Sequence, residues 1–251
     1  MEKLSLILLC SILILSACKK KIESDSFDEV NFSFHERNFG ASADQLLRDD
    51  KFTSLKIEVQ YMEGFEPDRK AIENLQTFLY KYLHKPGGIY IVKRKIATVR
   101  DTVLTRRQVD SIRRANRTVY TRNNQLALYN LYTNGEFENP HVLGQACRNA
   151  SIIIYGKPVK QYGAAFTVST QTTIETTLLL HEMGHLLGLV NKGSAMQAKR
   201  SDTAHEAHCI NPNCIIYWSI PIKPHYGTRI VKKIPALDTF CYKDLIENRR
   251  K

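Results

Sequence analysis

The residues with the clearest chemical content are His181-Glu182-Met183-Gly184-His185. On a helix, side chains four residues apart share one face, so His181 and His185 would turn two imidazoles toward one metal ion. Glu182, about a quarter-turn away, would stand beside that ion, where it can accept a proton from water. The chemistry such a set supports is metal-assisted hydrolysis. The competing reading is a buried helix that carries two histidines by coincidence.

The flanking residues favour the helix. Thr172 and Glu175 have the spacing of a capping box. Ile174, Leu178, Leu179, Leu186 and Leu187 form an apolar stripe. Gly188 falls where a left-handed residue would stop the helix, so the chain would turn just past His185 and a later segment could fold back with a third ligand. The usual zinc-protease pattern, which these residues resemble, implies a third His three residues after Gly188; here that position is Asn191, whose amide is a poor zinc ligand. The later candidates are His208, its rival His205, and the weaker Asp202.

Leu55 to Tyr61 alternates strictly and predicts a strand. Ile72, Leu75, Leu79 and Leu83 predict a helix over 68–83, stopped by Lys85-Pro86-Gly87-Gly88. Ile89 to Val92 begins a second strand, and a strand, a helix and a strand in that order imply a crossover with parallel strands. Thr105 to Val119 reads as an exposed basic helix. Residues 125–132, 151–155 and 164–168 read as further strands, with a turn at Asn134-Gly135.

The chain has 251 residues and a formal net charge of +11. It opens with an apolar run from Leu4 to Leu15, then Ser16-Ala17-Cys18. That run is short for a membrane span, which needs about 20 residues, and it reads as a secretory signal. Leu15-Ser16-Ala17-Cys18 resembles a bacterial lipobox, which implies cleavage before Cys18 and lipid on that residue. Lys19, in place of Asp, points by the known sorting rule to the outer membrane of the envelope. Residues 1–17 are thus expected to be a signal peptide, 18–50 a lipidated tether whose aromatics (Phe27, Phe32, Phe34 and Phe39) hint that its later part packs, and 51–251 the domain. A basic surface suits anionic partners, but no nucleic-acid motif is present. Oligomeric state leaves no trace in the sequence. Outside the cytoplasm, Cys147, Cys209, Cys214 and Cys241 read first as disulfides and second as ligands of a structural metal.

His208-Cys209, four residues, Cys214, one residue and Ile216 resemble the end of the archaemetzincin motif H-E-x-x-H-x-x-G-x-x-H-C-x4-C-x-M, whose first half matches His181, Glu182, His185 and Gly188. About 17 residues are inserted before His208. The pattern also resembles bacterial lipoproteins of the membrane metalloprotease group. The resemblance implies an α+β, metzincin-like zincin, with a mixed twisted sheet, an active-site helix and a small C-terminal subdomain. It implies a catalytic zinc held by His181, His185 and His208, with Glu182 as general base and a protein or peptide as substrate. Ile216 replaces the family's Met. Cys241, with Asp244 in place of a fourth Cys, leaves a second, structural zinc as the alternative to disulfides. Tyr217 is a candidate oxyanion donor. Two other functions keep the same residues: a non-catalytic zinc-bearing binding protein, and an amidase acting on something other than a peptide chain.

Overall fold

The computed structural model describes residues 30, 32–164, 168–219 and 233–251. The expected signal peptide, Cys18 and the first part of the tether lie outside the described residues. Among the described residues no helix is long and apolar enough to cross a membrane.

Five strands form one sheet. They are β1 (Ser54–Met62), β2 (Ile89–Ile96), β4 (Gln125–Thr133), β6 (Gly144–Ala146) and β7 (Ser151–Tyr155), in the order β2-β1-β4-β7-β6. β1, β2, β4 and β7 are parallel, and β6 runs antiparallel along the β7 edge. A separate two-stranded piece pairs β3 (Val103–Leu104) with β5 (Glu136–Phe137). The expected crossover is present: α2 (Arg69–Tyr82) links β1 to β2. It starts at Asp68, whose carboxylate accepts from the Ala71 amide at 2.8 Å, a side-chain cap on the first turn.

Each face of the sheet has its own core. On one face Leu55, Ile57 and Val59 of β1, Leu128 of β4 and Ile152 and Ile154 of β7 pack with α2, α5 (Val168–Leu186) and α6 (Thr239–Arg250). The other face holds Tyr129, Leu131, Ile153 and Tyr155 against Leu104 and Val109. Val109 lies on α3 (Arg106–Asn116), the basic helix, which begins with a Thr105–Gln108 capping box. On this face β1 is polar, and Glu58 is buried. Its carboxylate accepts from Thr118 Oγ1 at 2.6 Å and from the amides of Thr118 and Val119, each at 2.9 Å. The alternation in β1 therefore marks the core face, while burial extends to both.

Three expectations need correction. Residues 164–168 are not a strand: α4 (Gly156–Ala164) and the start of α5 take up their described part, and residues 165–167 lie outside the described residues. A short apolar run does not separate strand from helix. Thr172 does not begin the active-site helix, which starts at Val168. Glu175 instead accepts from the Asp68 amide at 2.9 Å and from Gln171 at 3.0 Å, tying α5 to the start of α2. The packed chain also begins well before Lys51. A 3-10 turn at Phe32–Glu36 and α1 (Ala43–Leu47) bury Phe34, His35, Leu46 and Leu47. Lys85 fastens this segment by donating to the carbonyls of Gln45 (2.8 Å), Phe52 (2.7 Å) and Arg48. Glu36 pairs with Arg113 of α3 at 2.7 Å.

Candidate metal centre

His181, Glu182 and His185 occupy the last two turns of α5, and all three are buried. The carbonyl of Ile215 accepts from His181 Nδ1 at 2.8 Å, so the Nε2 atom of that ring carries the lone pair. His185 Nε2 lies 3.1 Å from it. His208 completes the group, and the ligand atoms of the three histidines all lie within 4.8 Å of one another. Burial drives the His181 imidazole down to about 4 and pushes His185 well below its ordinary value. At neutral pH the rings are uncharged bases.

His208 reaches the group because the inserted segment is tied down along its length. Gly188 has φ +68° and ends α5 in the left-handed conformation that glycine adopts without strain. Ser194 Oγ donates to the Leu187 carbonyl at 2.7 Å, and Asn248 Oδ1 accepts from the Ala195 amide at 3.2 Å. Arg200 and Asp244 form a buried ion pair. Asp202 N donates to the His208 carbonyl at 2.8 Å, closing the excursion. Asn191 is exposed. His205 is engaged elsewhere: its Nδ1 lies 2.8 Å from Asp202 Oδ2, and its ring stacks on Trp218 at 3.9 Å. Of the candidates for third ligand, His208 alone joins His181 and His185.

Glu182 faces the edge strand β6. Its Oε2 accepts from the Ala146 amide at 2.6 Å, and burial raises its carboxyl to about 8. Ile216 lies under the helix between the histidines, so close that a Cβ on Gly184 would overlap its Cδ1. The ring of Tyr217 packs toward Trp218, with centroids 5.9 Å apart.

A second group gathers Cys209, Cys214, Cys241 and Asp238, again with all ligand atoms within 4.8 Å. Two expectations change here. The four described cysteines are free thiols, so none is in a disulfide. The carboxylate beside the sulfurs is Asp238, since Asp244 is committed to Arg200 and to the Gln197 amide at 2.8 Å. Cys147 lies against the core of the other sheet face. The sulfurs receive donors: Asn211 N to Cys209 and Asp238 N to Cys214 at 3.5 Å, and Arg200 Nε to Cys241 at 3.4 Å. Hydrogen bonds from Cys209 and Cys241 hold the Cys214 thiol well below its ordinary range. Asp238 was not among the sequence candidates. Its signal was local, an Asp three residues before Cys241 at the start of a helix.

The structure resembles the crystal structure of an archaemetzincin from Methanopyrus kandleri, with a TM-score of 0.55 over 79% of this chain and 97% of that one, at 16% identity. The fold is archaemetzincin-like. No protein-family model and no curated protein matches the sequence.

Both groups suit zinc. Imidazole nitrogens sharing a tetrahedral zinc at about 2.1 Å stand about 3.4 Å apart, close to the His181–His185 separation of 3.1 Å. With its proton on Nδ1, His181 turns an Nε2 lone pair toward His185 Nε2, and three neutral imidazoles converge on one point with no positive charge among them. A cation bound by the inward-facing nitrogens would remove that repulsion. Three thiols and a carboxylate are likewise a zinc donor set.

Proposed function

We propose that this protein is a zinc-dependent metallopeptidase that cleaves within polypeptide chains. The observation that carries the reading is the convergence of His181, His185 and His208 beside a buried carboxylate, Glu182, that pairs with no cationic side chain among the described residues. The archaemetzincin-like fold supports it. His181, His185 and His208 would hold the ion. A zinc ion so held supplies Lewis acidity, polarising a carbonyl and making water acidic near neutral pH. Glu182 would serve as the base and then the acid, accepting a proton on the carboxylate oxygen not held by Ala146 N and returning it to the leaving amine. Burial raises the carboxyl's affinity for a proton, and a cation held by the histidines beside it would lower that again, leaving a base able to accept a proton and return it. The Ala146 amide fixes the rotamer, and the carbonyl of Ile215 fixes the His181 tautomer. The Cys209, Cys214, Cys241 and Asp238 group would hold a second zinc with a structural role, keeping His208 beside its neighbour Cys209.

Glu182→Gln provides the test. It should leave bound zinc unchanged and abolish hydrolysis of an unfolded protein substrate; full activity in that variant would sink the mechanism. The lipobox residues further support an envelope lipoprotein anchored through Cys18, at the outer membrane. Palmitate labelling that persists in Cys18→Ser would refute that part.

A further inference from the structure

We infer that Phe39 and the stacked pair Trp218–His205 are substrate-binding residues, and that they select a polypeptide with a large aromatic or aliphatic side chain next to the cleaved bond. The inference rests on the peptidase reading. While His181 and His185 of the histidine group are buried, Phe39 and Trp218 remain 37% and 44% exposed. Each is tied to that group by a different histidine. The Phe39 ring meets His185 edge-on, with centroids 5.7 Å apart. Trp218 lies three residues after Ile215, whose carbonyl accepts from His181. The His205 carbonyl accepts from the His208 amide at 3.3 Å.

Both contacts are held in place before any ligand arrives. Phe39 precedes Gly40, at φ +77°, where a Cβ would overlap the Lys192 carbonyl oxygen. The N-terminal segment is thereby pressed against the turn that ends α5. His205 is gripped by Asp202 at 2.8 Å and lies flat on the indole, with 4° between the ring planes. Rigid aromatic surface loses little conformational freedom on binding, which favours a partner that covers it with apolar area.

Trp218 is the single tryptophan of the chain, so its emission reports on this site alone. The full chain carrying Glu182→Gln, loaded with zinc, would be titrated with a blocked oligo-alanine peptide bearing one central Phe, and with its all-Ala counterpart. The Phe peptide should change the emission saturably and bind about 10-fold tighter. Adding Phe39→Ala should remove about that factor, with zinc content and melting temperature unchanged, while Phe39→Leu should retain most of it. Equal affinity for the two peptides, or Phe39→Ala without effect on the Phe peptide, would overturn the inference. Hydrolysis by the wild-type chain separates the two readings. A chain that cleaves peptides with no apolar preference refutes the inference alone. One that prefers the Phe peptide in binding but cleaves nothing refutes the peptidase reading and leaves the binding site standing.

Discussion

The N-terminal segment that carries Phe39 should come loose in acid, and His35 should be the reason. Its ring is 1% exposed, and its Nε2 accepts from the Thr121 amide at 3.0 Å. Phe34 and Tyr120 enclose it edge-on at 5.0 and 5.4 Å. Burial, with Arg117 and Arg113 nearby, lowers its pKa from 6.5 to about 3. Protonation would replace the acceptor with a second donor facing Thr121 N–H. The unfolded chain binds this proton below pH 6.5 and the folded chain does not until about pH 3. The contribution is therefore complete above pH 6.5 and is lost as pH falls through that window. The loss is about 1.4 kcal/mol per pH unit, or up to about 2.7 kcal/mol between pH 6.5 and 4.5. Urea unfolding at pH 7.5 and 4.5, on wild type and His35→Gln, isolates this share, because the buried metal-site histidines titrate in both proteins. His35→Gln should be the less stable at pH 7.5, and the gap should close by about 2 kcal/mol at pH 4.5. A gap that stays constant with pH would show that His35 is not held neutral, and the argument would fail.

Three further outcomes follow from the site. His208→Ala should abolish stoichiometric zinc at the histidine group, whereas His205→Ala should keep it; metal analysis showing the reverse would exchange their roles. Gly184→Ala should destabilise by about 1–3 kcal/mol through overlap with Ile216 Cδ1, and adding Ile216→Val, which removes that methyl, should recover part of the loss in thermal melts. Asp238→Ser keeps a cap for α6 but removes the carboxylate from the three sulfurs. Bound metal should therefore fall while helix content is retained, and unchanged metal binding would exclude Asp238 as a ligand.

What was legible in the sequence is what local geometry determines. His181 and His185 share a face because a helix repeats every 3.6 residues, and Gly188 at φ +68° ends that helix as its position implied. The alternation of β1 showed its core face. It could not show that Glu58 on the other face is also buried, because Thr118 and Val119, which satisfy it, are about 60 residues away. The second metal group shows the same limit at closer range. A Cys-x-x-Cys pattern presumes a turn, which brings residues three apart to one ion, so Asp244 was the natural partner for Cys241. Cys241 instead lies in the first turn of α6, which puts Asp244 a turn further along, against Arg200. The residue beside the sulfurs is then the helix cap, Asp238: one carboxylate oxygen accepts from Cys241 N at 2.8 Å, and the other lies 3.3 Å from Cys209 Sγ. The Arg200–Asp244 pair in turn ties the inserted segment to α6, and Cys209 carries that restraint to His208. The placement of the third histidine thus depends on a helix more than 30 residues downstream, a dependence that motif spacing does not encode.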